Sequence, residues 1–171
     1  LQNFTETKID FKTAEAQTKA IKELNILEKA NEVYDKIILL NNSRTAMAAG
    51  EEAVKNGEYK QALIEFGKVT EKNDLLQSKI NNAITNYKSD FETKLDTALN
   101  AGEYDTAKAL FTEVKELLPD DTNFYSSQEQ KIVNLLQAKI DNKDIDNGIK
   151  LFDTLSEFIS DKTTVYTYSE L

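Results

Sequence analysis

The sequence predicts an all-α fold, and three observations carry the prediction. Turn-forming residues are scarce: one Pro and five Gly in 171 residues, far fewer than a β-rich domain needs. Apolar residues recur at helical spacing. Leu76, Ile80, Ala83, Tyr87, Phe91, Leu95 and Ala98 follow one another in steps of three or four, a stripe down one helix face. The glycines fall largely between such stretches, where they read as tight turns between antiparallel helices.

Taken in order, residues 11–40 are helical in pattern, as one continuous helix or as a hairpin with a weak turn at Asn25-Ile26-Leu27-Glu28-Lys29-Ala30 followed by Tyr34. The most apolar run, Ile37-Ile38-Leu39-Leu40, is far short of the ~20 residues that span a bilayer and reads as helix core. Next comes Asn56-Gly57-Glu58-Tyr59-Lys60-Gln61-Ala62 with Phe66 four residues on. No breaker interrupts Asn73 to Asn100, so one helix about 40 Å long is expected there. Ala101-Gly102-Glu103-Tyr104-Asp105-Thr106-Ala107 with Phe111 repeats the turn, and Asn142-Lys143-Asp144-Ile145-Asp146-Asn147-Gly148 with Phe152 repeats it again. Between them, Pro119-Asp120-Asp121-Thr122 reads as a loop, and Ser127-Gln128-Glu129-Gln130 offers a capping box for the following helix. The end, Thr163-Thr164-Val165-Tyr166-Thr167-Tyr168, has strand-like composition but is too short to stand alone, so residues 162–171 are expected to be a tail or linker. Tyr59, Ala62, Phe66, Tyr104, Ala107 and Phe111 are expected to be buried between helices.

These copies resemble the tetratricopeptide repeat family: a small residue and Gly in a first helix (Ala49-Gly50), Gly-x-Tyr at the turn, then Ala and an aromatic in a second helix, with Pro119 at the end of the copy that turns at Gly102. Four of the five glycines and the only proline fall on or beside motif positions, Gly67 being the exception. The resemblance implies antiparallel helical hairpins stacked as a right-handed solenoid over residues 1–161: a weak repeat at 11–41 and stronger ones at about 43–72, 74–119 and 121–161. From residue 25 to 57, 102 and 143 the turns are 32, 45 and 41 residues apart, against a family period of about 34. Excesses near whole helical turns can lengthen helices without rotating their apolar faces.

Composition narrows function. The net charge of -9 argues against nucleic acid, which needs clustered Lys and Arg. With no Cys and no His, thiol chemistry, imidazole bases and metal ligation by either residue are gone. An enzyme is therefore not expected. No leader pattern follows Leu1, and the absence of Cys suits an extracytoplasmic domain of a bacterial envelope protein or a cytoplasmic one. Asn142, Asp144, Asp146, Asn147, Ile149 and Asp153 loosely imitate a calcium loop, yet its sixth position is Asn rather than Gly and its last is Asp rather than Glu, so they read as helix caps and no metal or cofactor is expected. The pairs Glu51/Glu52, Glu113/Glu116 and Asp120/Asp121 read as solvated surface. Lys19, Lys22 and Lys29 are interleaved with Glu23 and Glu28 and form no basic patch.

The resemblance implies a concave face lined by the first helix of each pair. Its groove positions are Arg44, Met47, Glu51, Val54 and Lys55 in the first strong copy, then Glu92, Asp96 and Leu99, and finally Val133, Gln137 and Ile140. Met47 and Glu51 stand where the family's carboxylate clamp has Lys and Asn, so binding of chaperone tails is not implied. Two functions are expected: a module binding a protein or peptide of some basic character, without membrane insertion, or a spacer or stalk with no groove ligand.

Overall fold

The computed structural model describes residues 1–23 and 28–169. All regular structure among them is helical, with no strand. Two compact units divide the chain, Leu1–Asn86 and Tyr87–Leu171.

The first unit begins with α1 (Gln2–Thr5), α2 (Phe11–Glu23) and α3 (Glu28–Lys55). Asp10 starts α2 by accepting from Thr13 N (2.8 Å), a cap that satisfies one of the orphan first-turn donors. α2 lies along α3, so residues 11–40 contain two helices rather than one; the turn expected at Asn25 lies outside the described residues. Phe4, Ala14 and Ile37 bury a small core between α1, α2 and α3. α4 (Tyr59–Gly67) folds back on α3, and the Phe66 ring fills the space left by the missing side chain of Gly50. Ala46, Ala53, Ala62, Phe66 and Val69 pack there with Leu76 and Ala83 of α5 (Asp74–Ala101). The Ser43 hydroxyl, itself buried, accepts from Thr70 N (3.0 Å) and holds the α4–α5 loop to α3. Asn73 caps α5 through Leu76 N (2.9 Å), and the helix runs on to Ala101 as its unbroken stripe predicts.

The second unit contains the later part of α5, then α6 (Tyr104–Leu117), α7 (Thr122–Asp141), α8 (Ile145–Leu155), a 3-10 turn (Ser156–Phe158) and α9 (Lys162–Ser169). Its core is aromatic: Phe91 meets Phe111 edge-on (5.9 Å between centroids, 88°) and Phe124 (5.5 Å), while Phe158 stacks on Phe111 (5.0 Å, 21°). The Tyr87 hydroxyl donates to Glu113 Oε1 (3.0 Å), and burial followed by this carboxylate raises the phenol well above its ordinary value.

The three expected turns share one geometry. Gly57, Gly102 and Lys143 have φ of 76°, 72° and 58°. Each amide bonds back to the carbonyl three residues earlier and the next amide to the one five earlier, as in Glu58 N to Ala53 O, Glu103 N to Ala98 O and Asp144 N to Lys139 O, which is the Schellman closure of a helix end. Lys143 occupies the left-handed conformation that costs an L-residue about 1–2 kcal/mol. Lys143→Gly relieves that strain against an added unfolded-chain entropy of about 0.5–1 kcal/mol. A higher denaturant midpoint, worth up to about 1 kcal/mol with unchanged slope, is expected.

Four expectations are corrected. Five of the six inter-helix residues are buried, but Tyr59 is only half-buried, whereas its counterpart Tyr104 lies under Lys150. The helix after Pro119 starts at Thr122 rather than Ser127: Asp121 caps it by accepting from Phe124 N, and Ser127 lies inside it with its hydroxyl turned back to Phe124 O. The expected loop is shorter by one residue: Pro119, Asp120 and Asp121 lie between α6 and α7, and Thr122 belongs to the helix. Residues 162–169 are helical, because the Asp161 carboxylate accepts from Thr163 N (3.0 Å), Thr164 N (3.3 Å) and the Thr164 hydroxyl (2.5 Å), and this cap overrides the β-preferring composition.

Candidate functional site

In the first unit the groove positions divide between internal contacts and surface. Arg44 lies with its guanidinium 4.5 Å from the Phe4 ring centroid and donates to the carbonyls of Phe4 (3.2 Å) and Thr5 (3.3 Å). It closes the C-terminal end of α1, where helix carbonyls lack partners, and is not a free groove residue. Met47 and Val54 are half-buried against the core under α4. Glu51 pairs with Lys79 of α5 (2.8 Å) and Lys55 with Glu52 (3.3 Å). Glu51, Val54 and Lys55 do come together, lining a depression of about 200 Å³ with Phe66, Lys79 and Asn82.

In the second unit Leu99 is 6% exposed and belongs to the core. Its carbonyl receives the Gly102 amide in the turn. Glu92 accepts from Gln128 Nε2 (2.9 Å), and Asp96 pairs with Lys131 of α7 (2.7 Å). The acidic spots expected at Glu51 and Asp96 are thus partly neutralised by lysines of neighbouring helices. Such half-exposed pairs contribute little stability, but they remove the free carboxylates expected to attract a basic peptide.

The third set is the one the fold assembles on a single face. Val133, Gln137 and Ile140, one turn apart on α7, line a groove of about 400 Å³ whose other wall is Thr163, Thr164, Thr167 and Tyr168 of α9. The Tyr168 hydroxyl donates to Gln137 Oε1 (3.0 Å). At the other end of α9, Glu129 of α7 accepts from Ser160 N (3.1 Å) and the Ser160 hydroxyl (2.8 Å). The α9 wall is not announced by its composition, which is that of a tail; the recurrence of Thr163, Thr167 and Tyr168 at helical spacing is the available signal.

The calcium-like residues serve the turn. The Asn142 side-chain amide donates to Ala138 O (2.8 Å), and the Asp144 carboxylate pairs with Lys139 (2.7 Å) and accepts from Asn147 (2.8 Å). Lys139 first, then Asn147, hold the Asp144 carboxyl below its ordinary range. Among the described residues no three acidic side chains stand together as a metal site, and no described helix is long and apolar enough to cross a membrane. Against known family models, characterised proteins and solved structures, the chain has no match.

Proposed function

We propose that the chain is a non-catalytic module that binds protein or peptide segments on the faces of its helical hairpins, with the hairpins stacked as a tetratricopeptide-like right-handed solenoid. One observation carries this reading: Val133, Gln137 and Ile140 of α7 face α9 across an open groove lined with threonines, and the Tyr168 hydroxyl spans it to Gln137 Oε1. A groove whose walls combine apolar side chains with hydroxyl and amide groups has the chemistry to take a polypeptide segment of a partner. The absence of His and Cys from the sequence supports a binding rather than a catalytic role. The net charge of -9 favours partners of basic character through the rate of encounter.

Selection of a displayed peptide library on the immobilised full chain tests the proposal. Peptides with an aromatic hydroxyl and small polar residues are expected to be enriched, and Val133→Glu should weaken them by about tenfold or more while the melting temperature holds. Failure to enrich any sequence, or binding indifferent to Val133→Glu, would remove the α7 face from consideration. A spacer without a ligand is the second reading, favoured by the internal use of Arg44, Glu51 and Asp96.

A further inference from the structure

The second helices of the two hairpins in the second unit carry equivalent faces in different surroundings. Aligned through their turns, Tyr104, Ala107, Phe111 and Val114 of α6 match Ile145, Gly148, Phe152 and Leu155 of α8. All four α6 residues are buried, under cover that includes the Phe158 ring on Phe111 and Lys150 above Tyr104. On α8, Gly148 and Leu155 are buried, but Phe152 is half-buried and Ile145 is 44% exposed. Ile149, on the same stripe, is 50% exposed. Ile145, Ile149 and Phe152 stand at i, i+4 and i+7 beside Leu136 and Ile140 of α7, and together they line a groove of about 260 Å³. This spacing is that of a helix face made to receive another helix.

We propose that this α7–α8 groove docks an amphipathic helix of a partner protein whose apolar stripe is flanked by Lys or Arg. The charge around it selects that occupant. Asp146 and Asp153 follow Ile145 and Phe152 by one residue each, both are exposed, and neither has a cationic partner among the described residues. Basic flanks would pair with them, whereas an acidic helix would be repelled. A second copy of the chain docked face to face would set these aspartates against their own equivalents. α9 does not fill the role, since Tyr168 reaches the rim of the groove and leaves Ile145 and Ile149 open. The α6 face supplies the internal precedent, with lysine and aromatic contacts in its cover and the Lys108–Glu157 ion pair (2.5 Å) beside it.

Fluorescence anisotropy on the full chain at low salt tests the assignment. The probe is a labelled leucine–lysine peptide of about 18 residues, five helical turns, patterned with one apolar stripe. Its comparator has the same composition shuffled so that no stripe forms. The patterned peptide should bind at least about tenfold more tightly than the shuffled one, and Ile149→Glu should abolish that difference without shifting the melting temperature. Asp146→Asn with Asp153→Asn should weaken binding several-fold and flatten its salt dependence, while the matched pair Glu32→Gln with Asp35→Asn on α3 should not. Val133→Glu, which tests the α7 face, should leave this binding unchanged, so the two readings fail separately. Equal binding of both peptides, full binding by Ile149→Glu, or a dimer in sedimentation equilibrium that Ile149→Glu dissolves would each overturn the proposal.

Discussion

Phe111→Ala should lower the unfolding free energy by about 3–5 kcal/mol, the range for deleting a fully buried aromatic, a large part of the ~5–15 kcal/mol that holds a typical domain. Phe111 is 0% exposed and stands between two rings, edge-on to Phe91 and stacked with Phe158. Its removal costs the transfer energy of the ring, the cavity left behind and both aromatic contacts. The surroundings cannot readily collapse, since Phe91 is also held by Phe124, and Leu95 and Val114 are fully buried. Phe124→Ala is the matched comparison. Phe124 touches the same Phe91 ring but is half-buried, with Lys88 5.0 Å from its ring centroid, so its loss should cost roughly half as much. Chemical denaturation of both variants gives the comparison directly. Equal losses would mean that Phe111 is not the centre of the second unit's core.

The Phe111 position was legible in the sequence because it belongs to a repeated local pattern. A helix end closed by a residue at positive φ, followed two residues later by a ring or Ile and five later by Ala or Gly, recurs at residues 57, 102 and 143. The physics of each turn is contained in a few neighbours. The start of α5 near Asn73 was legible from its uninterrupted apolar stripe, while the cap that Asn73 supplies there is a finding of the structure. What failed depended on distant residues. Nothing near Glu51 announces Lys79, and nothing near Asp96 announces Lys131; both lysines arrive from other helices. Arg44 meets the carbonyls of a four-residue helix about forty positions away. The tail went astray through propensity, because Thr, Val and Tyr favour strands in general, while one aspartate at residue 161 supplies the local bonds that start a helix here. The candidate site followed the same division. Repeat register places the α7 residues on one face, whereas the α9 wall and the exposed α8 stripe follow from what packs, or does not pack, against each helix.

Gly50→Ala should destabilise the chain by about 1–3 kcal/mol, although the same exchange in an ordinary helix interior stabilises by about 1 kcal/mol. The reversal of sign comes from one contact. A Cβ on Gly50 would lie 2.5 Å from Phe66 Cδ1 and closer still to Cε1, inside any allowed separation. Phe66 is 1% exposed and packed among Ala46, Ala53, Ala62 and Val69, so moving its ring breaks that packing. Either α4 lifts from α3 or the ring leaves its preferred rotamer, and both give up packing. Two other glycines serve as controls with different mechanisms. Gly57 has nothing within 4 Å of an added Cβ but a φ of 76°, so Ala there should cost only about 1 kcal/mol of backbone strain. Gly67 has neither a close neighbour nor a positive φ, and Ala there should be neutral or slightly stabilising. Thermal melts of the three single variants should therefore rank Gly50→Ala lowest, Gly57→Ala next and Gly67→Ala at or above the parent. Restoring room by Phe66→Leu in the Gly50→Ala background should recover part of the loss, a coupling expected of residues in direct contact. If the two substitutions simply add, α4 does not lie against α3 at Gly50.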